Sequence, residues 1–244
     1  TPINNGLAPG TTAIYVLDLA IDPQTPTTLY AGTYEGGFKS TNGGGSWTRI
    51  FTSSLADTIT RPMPYITSIV LAIDPVTPST LYAGVNPFGL FKSLNGGGNW
   101  FGVNDGLLAE GSSYYYPIRA LAIDPATPTT IYAGTAGGGV FKTTNGAGNW
   151  TPLHTPFTSV EELAITPGMP TILYAGTSGS GVFKSTNGGA DWHALNNGLT
   201  SSFVHTLAID PLQPTILYAG TAGGGVFVNQ QVIHFFYLPL FSLP

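Results

Sequence analysis

The acidic residues are the first candidates for chemistry, because two carboxylates facing each other across a cleft can hydrolyse a glycosidic bond. Glu161 and Glu162 are adjacent in a stretch that predicts a β-strand, so their side chains are expected on opposite faces. Other carboxylates stand in predicted loops, where only the fold could bring them together: Glu35, Asp57, Asp105 and Glu110. Spacing alone therefore predicts no acid pair, and we interpret the chain as non-catalytic.

Metal, thiol and phosphate chemistry are not predicted either. The chain has no cysteine. Its histidines share no spacing and have no neighbouring carboxylate pair: His154, His193, His205 and His234. The glycine-rich turns at 135–139 and 221–225 lack the Gly-Lys-Ser/Thr of a phosphate-binding loop. We expect neither a metal ion nor a cofactor.

Charge is scarce along the whole chain. Only 8% of the 244 residues are charged, with 7 Lys+Arg against 12 Asp+Glu and a net charge of −5. So few basic residues cannot form the cationic footprint that nucleic acids require. No apolar run reaches the roughly 18–20 residues of a membrane-spanning helix. We expect neither nucleic-acid binding nor membrane insertion, and the low charge favours a surface covered by other subunits or by sugar.

One phrase recurs five times, and it decides the predicted architecture. Each copy has an apolar run ending in Leu-Ala-Ile, a turn, and then Tyr-Ala-Gly, which stands at 30–32, 82–84, 132–134, 174–176 and 218–220. Successive copies are 52, 50, 42 and 44 residues apart. Gly or Pro interrupts every window of helical length, and β-branched and aromatic residues fill the short runs between turns. The period and composition fit four-stranded propeller blades.

A second motif follows the third predicted strand in four of the repeats. In the first copy, Ser40–Trp47, an Asn stands two residues after the initial Ser and a Trp ends the motif. The Asn and Trp positions are Asn42 and Trp47, Asn95 and Trp100, Asn145 and Trp150, and Asn187 and Trp192. The motif resembles the Asp-box, or bacterial neuraminidase repeat, of sialidases, sortilin-type receptors, xyloglucanases and photosystem assembly-factor propellers, with Asn in place of Asp. The resemblance implies a β-propeller in which this box is structural and lies away from any active centre.

Repeat and box together predict an all-β fold: a five-bladed β-propeller with four-stranded blades over residues 1–228. The fifth repeat has three predicted strands and no box, whereas residues 1–7 match the end of the segment 100–107. The N-terminal residues are therefore predicted to supply the fourth strand of the last blade, so that N-terminal and C-terminal segments close the ring. Residues 229–244 form an apolar tail, which could supply that strand instead.

For a sialidase, the same resemblance implies three arginines that clamp a carboxylate. The chain has three arginines, but Arg49 follows Trp47 by two residues and is expected on an outer strand. Only Arg119 leads into an inner strand. A degenerate glycoside hydrolase is therefore the least favoured function.

Two connections between repeats are longer than the others, and their extra residues lie at 51–65 and 105–117. In propellers such connections share a face with the turns between second and third strands, which is the face that usually binds ligands. Their aromatic and cationic residues predict a candidate binding patch for glycans or a protein: Arg61, Tyr65, Tyr114, Tyr115, Tyr116 and Arg119. The alternative is a loop that packs on its own aromatic rings.

The tail is the second candidate site. It is uncharged, and as a free end it would promote aggregation. Its apolar residues are Val232, Ile233, Phe235, Phe236, Tyr237, Leu238, Leu240 and Phe241. One terminus could complete the subunit's own blade while the other docks on a neighbour's sheet edge, and a head-to-tail contact of that kind builds a ring or a filament.

We therefore expect a secreted or cell-surface propeller, with a signal peptide already removed because the chain begins at Thr1 rather than Met. The expected function is structural: a self-associating building block of an extracellular assembly, with a homo-oligomer or homopolymer as partner. The alternative is a glycan- or protein-binding module that uses the tyrosine-bearing loops.

Overall fold

The computed structural model describes residues 3–7, 14–52, 66–109, 111, 114–168 and 171–230. Over these ranges the chain is all-β and contains no helix, and therefore no helix that could cross a membrane. Its strands form five separate antiparallel sheets, which we call blades one to five in chain order. Four blades have four strands, and blade five has three among the described residues. The predicted all-β class is confirmed.

The strands follow the repeat of the sequence. Blade one comprises β1 (Val16–Ile21), β2 (Leu29–Thr33), β3 (Gly36–Ser40) and β4 (Thr48–Phe51). Blade two comprises β5 (Ser68–Ile73), β6 (Leu81–Asn86), β7 (Gly89–Ser93) and β8 (Phe101–Gly102). Blade three comprises β9 (Ile118–Ile123), β10 (Ile131–Thr135), β11 (Val140–Thr143) and β12 (Thr151–Pro152). Blade four comprises β13 (Val160–Ile165), β14 (Leu173–Thr177), β15 (Val182–Ser185) and β16 (His193–Ala194). Blade five comprises β17 (Val204–Ile209), β18 (Ile216–Thr221) and β19 (Gly225–Gln230).

All blades share one strand register. In blade one, Ala31 of β2 lies opposite Leu19 of β1 and Phe38 of β3, and Tyr30 lies opposite Lys39. The same pairing recurs at the equivalent residues of blades two, three and four. Blade five keeps the register, but β19 extends to Gln230 and Val228 stands opposite Tyr218 where the other blades have Lys. Blade five thus differs from the other blades by a Val in place of the Lys opposite the tyrosine.

The Asp-Pro turn between first and second strands forms as the sequence predicts. One carboxylate oxygen of Asp22 accepts the backbone N–H of Gln24 at 2.8 Å and of Thr25 at 3.0 Å. The corresponding carboxylates accept the same two N–H groups at Asp74, Asp124 and Asp210. The side chain thus replaces backbone partners that the tight turn cannot supply.

The loops after the third strands are held by their Ser or Thr and their Asn. Ser40 Oγ accepts the N–H of Gly44 at 2.9 Å, and Asn42 Oδ1 accepts the N–H of Ser46 at 2.8 Å. Asn42 Nδ2 also donates to Ser46 Oγ at 3.0 Å, whereas an ionised carboxylate could only accept. Asn therefore supplies both an acceptor and a donor to the loop.

The hydrophobic core lies between blades. One cluster joins Val140 of blade three to Val160, Leu173 and Phe183 of blade four, and further clusters join the other consecutive blades in the same way. The first strands stand side by side in chain order, β1 beside β5, β5 beside β9, β9 beside β13 and β13 beside β17. Each blade therefore depends on its neighbours to cover its two faces.

Residues 3–7 lie on blade one, against the loop that ends in Trp47. The indole Nε1 donates to the carbonyl of Ile3 at 2.7 Å, the backbone N–H of Trp47 donates to Asn5 at 2.8 Å, and Leu7 is buried. No strand among the described residues pairs with the outer edge of β19. Residues 1 and 2, which align with the fourth strand β8, lie outside the described residues, so completion of the last blade and ring closure stay predictions.

Candidate functional site

The predicted tyrosine patch divides into a packed and an exposed part. Residues 107–109 and 114–117 lie side by side, because Leu108 and Tyr115 form an antiparallel bridge and the N–H of Ala109 donates to the carbonyl of Tyr114 at 3.0 Å. Tyr115 and Tyr116 are half-buried and pack on the core between blades two and three. Tyr114 is 50% exposed. Two of the three tyrosines therefore stabilise the loop, and one is presented to solvent.

The cationic part of the patch is not assembled among the described residues. Arg119 on β9 donates to Glu161 on β13 at 3.1 Å, an ion pair that bridges blades three and four. Arg61 and Tyr65 lie outside the described residues. Arg119 therefore has a structural partner.

An exposed aromatic pair on blade one was missed by the sequence reasoning. Tyr15 and Tyr34 are 61% and 48% exposed, and their ring centroids are 5.5 Å apart. Tyr15 precedes β1 and Tyr34 follows β2, so both stand at the edge of blade one where ligand-binding loops are expected. The sequence does mark this site, because Tyr34-Glu35 replaces part of a turn that is Thr-Ala-Gly-Gly-Gly in blades three and five.

Two buried carboxylates lie on the inner strands. Burial raises the pKa of Glu162 to about 7; the N–H of Leu163 opposes this shift, and the negative charge of Asp18 adds to it. Burial also raises the pKa of Asp18, whose Oδ2 accepts the N–H of Leu71 at 2.6 Å. Glu162 can therefore hold a proton near neutral pH. The described residues contain no group of three His, Cys, Asp or Glu that could hold a metal ion.

Among the described residues, each of the two outer faces of the blade array presents a group of exposed apolar side chains. On blade one, the side that no blade covers presents Val16, Leu19 and Ile21, which are 43%, 61% and 60% exposed. We call these three residues the leading face. Together with Leu7 and Trp47 they line an apolar groove.

On the opposite end, blade five presents Tyr218, Val226 and Val228, which are 39%, 75% and 57% exposed. We call these residues, with Gly220 between them, the trailing face. At the positions equivalent to Val226, Leu90, Val140 and Val182 are buried under the next blade. The predicted assembly residues of the tail, from Val232 to Phe241, lie outside the described residues.

A comparison with protein-family models finds no match, and no curated protein matches the sequence. Solved structures do match the fold. A GH74 enzyme from Niastella koreensis is 22% identical, with a TM-score of 0.66 over 84% of this chain and 33% of the enzyme. The extracellular domain of a one component system from B. thetaiotaomicron is 22% identical, with a TM-score of 0.60 over 84% of this chain and 26% of that chain.

The structure of YCF48 bound to a D1 peptide also matches, at 17% identity and a TM-score of 0.59 over 93% of this chain and 67% of that one. The chain thus spans only 33% of the GH74 enzyme and 26% of the sensor domain. At these identities the similarity shows the fold, which is that of a β-propeller.

Proposed function

We propose that this chain is a non-catalytic, self-associating structural module of an extracellular or cell-surface assembly, built as a five-bladed propeller of the Asp-box type. The observation that carries the proposal is the pair of outer faces. Leu19 and Ile21 of blade one and Val226 of blade five are at least 60% exposed, although their equivalents in the interior blades are largely covered. Apolar surface of this kind marks a protein–protein contact.

The scarcity of charge supports the same function. A soluble domain normally has about 25% charged residues, whereas this chain has 8% over its whole length. Several of its charges are also engaged in the scaffold: Lys39, Lys92 and Lys142 each donate to a glycine carbonyl of the next blade. Little charge is left to oppose association. The extracellular location rests on the likeness to an extracellular domain.

Self-association is tested by sedimentation velocity of the full chain over a wide concentration range. We expect oligomers that grow with concentration, and we expect Leu19→Lys to weaken the association by at least about a hundredfold, because a Lys ammonium would be buried without a partner. The matched control is Leu94→Lys, since Leu94 is 57% exposed but lies outside both outer faces. A wild-type chain that stays monomeric throughout, or an equal effect of both substitutions, would overturn the proposal.

A second candidate function is binding of a glycan or a protein at the tyrosine-bearing edges. The observation that favours it is the exposed pair Tyr15–Tyr34, together with Tyr114, because solvent-facing tyrosines stack on sugars and anchor protein contacts. Affinity electrophoresis through xyloglucan tests this: retardation lost in Tyr34→Ala but kept in Tyr116→Phe would support it, and unretarded wild-type chain would exclude that glycan. A degenerate glycoside hydrolase remains the third alternative.

A further inference from the structure

Blade four ends in a turn, residues 195–199, which we call the exit turn of blade four. We propose that this turn and blade five together form a cradle for an aromatic side chain, and that Phe236 of the chain's own tail is the occupant. The site lies within one subunit, so the inference goes beyond the proposed self-association and does not depend on it.

Two other turns of the same sequence pattern hold a tryptophan from the blade that follows. In the turn 103–107, the first carbonyl accepts the indole Nε1–H of Trp150 at 3.0 Å, and the third carbonyl accepts its backbone N–H at 2.7 Å. Trp47 makes the same two bonds to the turn 3–7, at 2.7 and 2.8 Å. A turn of this kind therefore receives an aromatic ring and pairs its own carbonyls with the N–H groups of the incoming residue.

The remaining two tryptophans show that these bonds depend on the turn. Trp100 and Trp192 follow connections whose sequences lack the Asn-Asn-Gly-Leu or Asn-Asp-Gly-Leu of the turn. Their indole Nε1 atoms donate instead to a glycine carbonyl of their own loop, at 3.0 and 3.1 Å, and a phenylalanine ring packs edge-on against each indole. The turn thus marks the junctions at which the following blade inserts an aromatic residue.

The exit turn of blade four has the conformation of the two turns that hold a tryptophan. The N–H of Leu199 donates to the carbonyl of Asn196 at 3.0 Å, and the equivalent bonds of the other two turns measure 2.9 and 3.0 Å. The glycine of each turn has a positive φ, between 81° and 91°. Within the described ranges, no backbone N–H donates to the carbonyls of Leu195 and Asn197, the first and third of this turn. The turn is therefore formed in the shape that receives an aromatic residue.

A cavity of about 110 Å³ lies beside this turn among the described residues. Leu199, Ala219 and Phe227 are three of its lining residues. Their equivalents at the junction of blades two and three belong to the same buried cluster as Trp150: Leu107, Ala133 and Phe141. Leu199 and Phe227, in contrast, are only half-buried. The apolar walls of the cradle are thus in place, and an aromatic ring would complete their burial.

The glycine of the turn shows the same difference. A Cβ at Gly106 would lie 2.0 Å from the backbone oxygen of Trp150, and a Cβ at the equivalent glycine of the turn 3–7 would lie 2.3 Å from the backbone oxygen of Trp47. A Cβ at Gly198 would meet no described atom within 4 Å. The cradle therefore has room for the backbone as well as the side chain of a residue in the place of the tryptophan.

The spacing of the sequence identifies the occupant. In all four boxes the tryptophan follows the Ser or Thr that ends the third strand by seven residues. In blade five Asn229 stands in the place of that residue, since it pairs with Leu217 as Ser40 pairs with Leu29. Asn229 also lines the cavity. The residue seven positions after it is Phe236, so the tail brings an aromatic side chain at the distance along the chain at which the other blades bring a tryptophan.

A phenylalanine in this place makes some of the contacts that the tryptophans make. Its ring can fill the apolar cavity and its backbone N–H can donate to the carbonyl of Asn197, but it has no side-chain donor for the carbonyl of Leu195. Docking also covers the aromatic centre of an uncharged tail that would promote aggregation as a free end. We therefore expect the docked tail to stabilise the single subunit, and a tryptophan at position 236 to stabilise it further.

Thermal unfolding of the monomeric full chain tests the docking. Phe236→Ala should lower the unfolding midpoint by about 6 °C or more, because a buried ring is lost. The matched control is Phe241→Ala, which removes the same ring five residues further along the tail and should shift the midpoint by less than about 2 °C. Equal shifts would overturn the inference. If the wild type is oligomeric at every concentration, both variants are measured together with Leu19→Lys. A shift that appears only in oligomers would mean that the tail of another copy fills the cradle, which also overturns it.

A second pair of variants tests what the cradle recognises. Phe236→Trp should raise the midpoint by about 2–4 °C, because its indole can donate to the carbonyl of Leu195 as Trp47 and Trp150 donate to their turns. Phe235→Trp is the control, since it makes the same chemical change one residue away and should not raise the midpoint. A midpoint that fails to rise in Phe236→Trp, or that rises equally in both variants, would show that position 236 does not take the place of the tryptophans.

The backbone position is tested at the glycine of the exit turn. Gly198 and Gly223 have φ values of 81° and 75°, and a Cβ at either meets no described atom within 4 Å, so their Ala variants share a similar backbone strain. In the docked chain the Cβ at position 198 meets the backbone oxygen of Phe236, as a Cβ at Gly106 would meet that of Trp150. We expect Gly198→Ala to lower the midpoint by about 3 °C or more beyond Gly223→Ala. Equal shifts would mean that the tail does not lie against the exit turn, and the docking would be wrong.

Discussion

The junction between blades three and four and the two outer faces of the array contain the same types of residue in opposite states. Val160 at the internal junction is fully buried against Gly134, whereas Val16 on blade one is 43% exposed and Gly220 on blade five meets no other blade among the described residues. The strand register around these residues is the same. Burial in this fold is therefore determined by the neighbouring blade rather than by the residue or its own sheet.

The largest expected difference between the two regions is in the free energy of unfolding after a Val→Ala substitution, which removes two methyl groups in either region. Val160→Ala should lower the free energy of unfolding by about 2–3 kcal/mol, because it loses buried apolar surface and leaves a cavity. Val16→Ala should lower it by less than about 0.5 kcal/mol in the single chain, since Val16 is already in contact with water. Urea unfolding at a concentration where the chain is monomeric measures both. Equal losses would mean that Val16 is covered in solution.

The sequence could predict the local features that the internal junctions and the outer faces share, but not the difference in their burial. The Asp22 turn and the loop around Asn42 are local, because each depends on a side chain that bonds to backbone within a few residues. The strands are also predictable, since each pairs with the strand next to it in the chain. The exposure of Val16 is not local, since it depends on which blade stands beside it. From the sequence, Tyr115 and Tyr116 could belong to a binding patch or to a loop packed on its own aromatic rings, and type and spacing alone could not decide between the two. Both are half-buried against the core between blades two and three.

The second expected effect is a pH dependence of stability. It comes from Glu162 on blade four and is modified by the charge of Asp18 on blade one. Burial raises the pKa of Glu162 from 4.5 to about 7, so the native state binds this proton more tightly than the unfolded chain does. The contribution of this group to stability is therefore fully present below about pH 4.5 and is lost as the pH rises through about 7. We expect stability to decline over that range by no more than about 3.5 kcal/mol, since the pKa rises by roughly 2.5 and each unit of pKa corresponds to about 1.4 kcal/mol.

Thermal or urea unfolding between pH 4 and 8 measures this decline. Glu162→Gln should abolish it, because the amide does not titrate. Asp18→Asn should lower the pKa of Glu162 and move the decline to lower pH, since the charge of Asp18 contributes to the shift. If the pH midpoint of this decline is unchanged in Asp18→Asn, blade one does not lie near Glu162 in solution. Blade one would then be placed differently relative to blade four.

A third effect compares glycines at equivalent positions. A methyl group at Gly134 would lie 2.6 Å from Val160 and 3.2 Å from Ala120, so Gly134→Ala overpacks a closed junction and should cost about 1–3 kcal/mol. Within the part of the chain that the structure describes, Gly220→Ala meets only the methyl group of Thr206, at 2.8 Å, and a small rotation of that side chain relieves the contact. Its cost in the single chain should be smaller, and calorimetry of both variants decides. If Gly220→Ala cost more stability than Gly134→Ala, the trailing face would not be open in solution.

The smallest effect concerns charge at an internal junction, where Arg119 and Glu161 join blades three and four at 3.1 Å. Because Arg119 is 45% exposed, Arg119→Ala should cost only about 0.2–1 kcal/mol and the loss should shrink in high salt. Arg49→Ala is the control, since Arg49 lies over the ring of Phe38 and makes no ion pair within the part of the chain that the structure describes. A loss much above 1 kcal/mol would mean that charge rather than apolar packing holds the internal junction together. The outer faces carry the apolar residues but not this ion pair. They would then resemble the internal junctions less closely, and a contact between copies would be weaker than a contact between neighbouring blades.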